Sequence, residues 1–172
     1  MPRKKPAPAP QGAPDPVQVT LQKGEYRYFN WVLAFERPIL PFFLYTFVLV
    51  NLASLLGVWP DGRVFGLAIL PPLLGYAIWV HTTAGRVWKA YPAIQRPRTY
   101  RFGEESYTVQ GEEREEIPWS RVDQALVSRR GVYLLRSDGS ADILPKAAAG
   151  DFEALVGWVQ ARVTRMKRSS FL

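Results

Sequence analysis

Cysteine is absent from this 172-residue chain, and histidine occurs once, as His81. The first absence excludes disulfides, thiolate metal sites and cysteine nucleophiles. The second leaves little for imidazole-based metal binding or proton transfer. Glycine-rich phosphate cradles are also missing. A further absence is local: no Lys, Arg, Asp or Glu falls within residues 39–58 or 64–80. An amphipathic helix of a soluble domain would carry charge on its outer face.

Those two apolar runs organise the chain. Each has roughly 20 residues, and at about 1.5 Å per residue that reaches the 30 Å or so of a bilayer's hydrocarbon core. Burying two helices that are apolar on every side would need a larger soluble domain than the remaining residues can make. The expectation is a transmembrane helical hairpin over 38–85, turning at Trp59-Pro60-Asp61-Gly62-Arg63.

The distribution of charge agrees. Residues 1–37 hold six basic and three acidic groups, and 86–110 hold five and two, whereas the hairpin carries one of each. Positive flanks around a neutral turn predict cytoplasmic termini in the inner (plasma) membrane. Nucleic-acid binders concentrate Lys and Arg on the folded domain itself. Here residues 111–150 carry six basic against seven acidic groups, so no nucleic-acid partner is expected.

Ahead of the hairpin, residues 1–16 read as a disordered Pro-rich tail. Prolines follow Arg3, Lys4 and Lys5 where a signal peptide would place its apolar core. Residues 17–37 read as a juxtamembrane segment: Val17 to Leu21 alternates like a short strand, and Glu25 to Arg37 suits an interfacial aromatic helix. Within the spans, Asn51 and Ser54 share a helical face and are expected to bond a neighbouring helix. Pro71 and Pro72 should kink the second span. His81 falls at its cytoplasmic end, beside Trp79 and Trp88, as an interfacial residue.

Beyond residue 95 short alternating segments follow one another, each closed by a turn signal: 99–102, 106–110, 115–119, 122–128, 132–136 and 141–144. Pro118 suits a strand end or an edge. A helix from Asp151 to about Lys167 then presents Phe152, Leu155, Val156, Val159, Val163 and Met166 on one face. The fold class expected is membrane α+β: a two-helix transmembrane hairpin, then a small antiparallel pleckstrin-homology-like β-barrel or sheet over 95–168, capped by a C-terminal helix.

That order, together with three short motifs, resembles the YcxB-like family of bacterial membrane proteins. Ile117-Pro118-Trp119-Ser120-Arg121-Val122 is similar to the family's Ile-x-Trp-Ser-x-Ile turn, and Ile143-Leu144-Pro145-Lys146 to its Ile-Pro-Lys-Arg ending. Thr20 to Tyr26 resembles the segment before the first span. Ala147 stands where the family commonly has a second basic residue. The resemblance covers roughly residues 19–166; it implies a fold and a membrane location, with structural roles for Ile117, Pro118, Trp119, Ser120 and Pro145, and no established activity.

For chemistry, Ser120 has no histidine in the sheet region to activate it. Glu112-Glu113-Arg114-Glu115-Glu116 reads as a solvated turn more than a cation site. Arg129 and Arg130 form the one compact basic turn and, with Lys146, are the candidate interaction residues. No catalytic residue, cofactor or metal is expected. The functional expectation is a non-enzymatic integral membrane protein whose cytoplasmic domain meets a protein partner, anionic lipid headgroups, or both. The alternative is an oligomeric pore or transport subunit using Asn51, Pro71, Pro72 and His81.

Overall fold

The computed structural model describes residues 12–169, the side chain of Arg63 excepted. The expected Pro-rich tail therefore lies, for residues 1–11, outside the described residues. The chain is an α+β mixture that divides into two units: a helical unit, Tyr26–Tyr91, and a sheet unit made of the residues on either side of it.

In the helical unit, α1 (Lys23–Glu36) and α2 (Ile39–Leu55) meet at a break where the chain bends by 64°. Pro38 lies in that break: it lacks an N–H, and its ring disfavours helix at the residue before it. Pro41 is tolerated because it occupies the first turn of α2. Helix α2 ends at a left-handed residue, Gly57 (φ 72°), behind which Val58 N–H donates to Ala53 O at 3.0 Å. Glycine adopts that conformation without a Cβ penalty.

Helix α3 (Gly62–Ala90) then returns antiparallel to α2 and continues through Pro71 and Pro72. Leu40 and Val80 are buried together with Ala34 of α1, and Leu44, Leu73 and Tyr76 pack around them. Near the turn the helices approach closely at Gly66, where any Cβ would overlap the Asn51 side chain.

Two expectations for this unit change. Over Val64–Ala90, α3 is long and apolar enough to cross a membrane. The 17 residues of α2 span only about 25 Å, and α2 qualifies only when joined to α1 as a bent pair. Gly57 and the turn consume the end of the first apolar run. Nor, among the described residues, do Asn51 and Ser54 bridge the helices by side-chain hydrogen bonds. Asn51 Nδ2 donates to Phe47 O of its own helix at 2.8 Å, and Ser54 Oγ donates to Pro60 O in the turn at 3.2 Å. At this point the helix pair relies on close packing against glycine.

The sheet unit holds two four-stranded sheets over a common core. One runs β1 (Val17–Val19), β2 (Arg98–Phe102), β3 (Ser106–Gln110), β4 (Arg114–Pro118), all antiparallel. The other has the order β7 (Ala141–Pro145), β6 (Gly131–Arg136), β5 (Val122–Ser128), β8 (Met166–Arg168). Every segment expected beyond residue 95 forms its strand. Residues 17–19, read as juxtamembrane, also form a strand, but it belongs to this sheet, with Val17 opposite Tyr100.

Alternation explains the core: Tyr100 and Phe102, Tyr107 and Val109 face inward, meeting Ala125, Val127, Val132, Leu134 and Leu144 of the other sheet. Helix α4 (Phe152–Gln160) adds Leu155, Val156, Trp158 and Val159. Its cap is Asp151, whose Oδ1 accepts from Ala154 N–H at 2.9 Å. The helix expected to reach Lys167 stops at Gln160. Residues 166–168 form β8, parallel to β5, whose open edge offers backbone partners that a longer helix would leave unmet.

Candidate functional site

The turn between β5 and β6 is the two residues Arg129 and Arg130, since Ser128 pairs with Gly131. Ser128 is buried, and its Oγ accepts from Arg130 N–H at 3.1 Å, fixing the turn from inside. Arg130 O in turn accepts from Lys146 N–H at 2.7 Å, so the end of β7 is tied to the same turn. On the other side of β5, Arg168 lies opposite Val127, two residues before Arg129, and Ser169 N–H donates to Val127 O at 2.8 Å.

These ties place Arg129, Lys146 and Arg168 around one open cleft of about 490 Å³. Buried Val127 and Val156 contribute to its lining, as do Phe152 and Glu153 at the start of α4. Lys146 Nζ stands 5.3 Å from the centroid of the Phe152 ring, a cation–π distance. The three cationic side chains are exposed.

Of the candidate residues, the structure thus brings Arg129 and Lys146 to a common cavity; Arg130 supports it through its backbone. Arg168 and Phe152 were missed. Arg168 follows the helix expected from Asp151 to about Lys167, although the pattern Arg165-Met166-Lys167, one apolar residue between two basic ones after β-branched Val163 and Thr164, is also a strand signal.

The motif residues have structural positions. Ile117 and Trp119 are 1% and 6% exposed. Trp119 Nε1 donates to Gly103 O at 3.1 Å, and its ring packs against Phe102 and Tyr107. Trp119 is thus a core residue. Pro118 ends β4, an edge strand, and Pro145 ends β7 opposite Gly131. Ser120 is exposed in a short 3-10 turn. The acidic turn is engaged locally: Glu112 pairs with Arg96, Glu115 with Arg136, and Glu116 accepts from Ser106 Oγ at 2.6 Å. His81 is exposed on α3.

A second polar cluster lies inside the sheet unit. Asp142, 2% exposed, accepts from Tyr100 Oη at 3.2 Å and Tyr107 Oη at 2.6 Å. Arg136 meets its Oδ2 through Nε at 2.8 Å and Nη2 at 2.6 Å, while Nη1 reaches Glu115. Burial first, then the Asp142 charge, pushes both tyrosine hydroxyls far above their ordinary range. For Arg136, burial pulls the pKa down, but Asp142's charge and hydrogen bonds outweigh it and the net shift is upward. A tyrosine that stays neutral and a guanidinium that stays charged are suited to joining two sheets, not to moving protons.

The chain matches no protein-family model, no curated protein and no solved structure.

Proposed function

We propose that this chain is a non-enzymatic integral membrane protein of the YcxB-like kind. It holds a pleckstrin-homology-like domain at the cytoplasmic face of the inner membrane for a protein partner, with anionic lipid in support. The pairing of β1 with β2 carries this reading. These neighbouring strands bracket the helical unit in the chain, so both ends of that unit begin and finish at one sheet. A segment whose two ends stay on the same side of a bilayer crosses it an even number of times. With α3 as one crossing, α2 extended by α1 is the other, and a short span is accommodated by local thinning of the bilayer.

Side-chain exposure supports the tether. Phe42 is 63% exposed, Leu55 70%, Leu67 64% and Ile78 62%, an apolar surface that water would not tolerate. The non-enzymatic reading is supported by the polar groups present: among the described residues the most buried carboxylate, Asp142, is bound by Arg136, and the single histidine lies on α3. A domain held at the membrane meets partners there at raised effective concentration, so weak contacts suffice.

The test is alkaline extraction of membranes carrying the full chain, followed by crosslinking in intact cells. The chain should stay in the membrane pellet and yield a discrete crosslinked protein; release into the supernatant would refute the tether. Reproducible conductance in planar bilayers, abolished by replacing Pro71 and Pro72, would move the assignment to a pore.

A further inference from the structure

We infer that the cleft formed by Arg129, Lys146 and Arg168 is a binding site for a phosphate monoester. The inference rests on reading the sheet unit as a binding module and names the ligand chemistry of one of its surfaces. Of the candidate residues Arg129, Arg130 and Lys146, only the first two adjoin in sequence, which is too little for a phosphate pocket. The fold changes that by bringing cations from three separate places, the β5–β6 turn, the end of β7 and β8, to one cavity. None of the three has an ion-pair partner among the described residues.

Three converging cations exceed what one carboxylate ligand balances, since a single guanidinium already satisfies a carboxylate through two parallel hydrogen bonds. A phosphate monoester carries up to two negative charges and three acceptor oxygens, and suits donors approaching from several sides. Glu153 is the one acid on the lining, so positive charge dominates. The volume of about 490 Å³ is that of a small-molecule site. Phe152, with Val127 and Val156, gives the organic part of the ester an apolar wall. Because Lys146 is held by Phe152 and by the Arg130 carbonyl, part of the site is ordered before any ligand arrives.

The phosphate can belong to a lipid headgroup or to a soluble ester, and the experiment separates them. Full-length protein in phosphatidylcholine nanodiscs is followed by hydrogen exchange at residues 127–131, 146–153 and 166–169. Glycerol phosphate is added in one arm; phosphatidic acid is mixed into the disc in the other. Protection of these segments is expected in at least one arm. Protection by glycerol phosphate identifies a soluble ester, and protection by phosphatidic acid alone a headgroup.

Arg129→Gln with Arg168→Gln should weaken binding by roughly tenfold per cation removed. Arg101→Gln, an exposed change on β2, should leave it intact and serves as the control. Unchanged exchange of the Leu155 region reports that the variants remain folded. No protection in either arm, or equal weakening by Arg101→Gln, would overturn the proposal. If the chain does not enter discs, the tether fails, and the glycerol phosphate arm run in mild detergent still decides the cleft.

Discussion

Tyr107 Oη donates to Asp142 Oδ2 at 2.6 Å, and the bond passes from one sheet of the core to the other. Tyr100 joins from β2 and Arg136 from β6, so four side chains fix the docking of the two sheets. A buried carboxylate with these partners is costly to disturb from one side only. Asp142→Ala strands the Arg136 guanidinium, whose side chain is 9% exposed. The expected loss is about 3–5 kcal/mol, with exposed Glu115 as a weak substitute. Replacing both, Asp142→Leu with Arg136→Met, should recover much of it. Urea unfolding of the full chain in mild detergent checks this; a single variant no worse than the double would end the account.

The same tyrosines set an alkaline limit. In the unfolded chain they ionise at about pH 10, while in the folded chain burial and Asp142 keep them protonated well above that. The unfolded state therefore holds fewer protons in this range, and stability falls as pH rises. Their contribution is fully present below about pH 10 and declines from there towards the folded values, with a slope of about 1.4 kcal/mol per pH unit for each tyrosine. Tyr100→Phe with Tyr107→Phe should flatten the profile, measured as unfolding free energy against pH. An unchanged slope would remove these residues from the linkage.

Strand β1 should matter more than its three residues suggest. Val17 and Val19 are each 3% exposed, and burying two such side chains is worth roughly 3–6 kcal/mol. Residues 92–169 alone should be markedly less stable than the same residues preceded by 12–22 through a short flexible linker. Equal melting temperatures for the two fragments would show that β1 is dispensable.

Strands β2 to β7 were readable because each was closed by a local turn signal, and β2 and β3 also alternate buried with more exposed positions. Asp142 was not, because a carboxylate in a strand reads as solvent-facing until its partners are known, and Tyr100, Tyr107 and Arg136 lie on three other strands. The cleft was half legible: Arg129 and Lys146 stood out as basic residues at turns. Arg168 was hidden by helical periodicity, which Val163 and Met166 satisfy by spacing alone. What overrode that periodicity was the open edge of β5, a tertiary feature invisible in a local window. The helical unit was legible as two apolar runs, but the shortening of α2 by Gly57 was not.

Topology offers a direct check on the hairpin. A reporter inserted between Pro60 and Asp61 should be active outside the cytoplasm, and one fused after Leu172 only inside. The same compartment for both would contradict two crossings. A cytoplasmic turn with outside termini would keep the crossings and reverse the orientation read from charge.

The bracketing of the helices by β1 and β2 also sets an order of events during synthesis. Residues 17–19 leave the ribosome first, yet their partner at 98–100 is made only after the whole helical unit. Until then Val17 and Val19 have no sheet to join, and the sheet unit lacks an edge. Closure of that edge is therefore a late step, and in the proposed membrane arrangement it depends on the helices delivering both ends of the chain to one compartment. A misrouted helix would leave the strand pair unformed and the domain incomplete, exposing it to quality control before it could reach a partner.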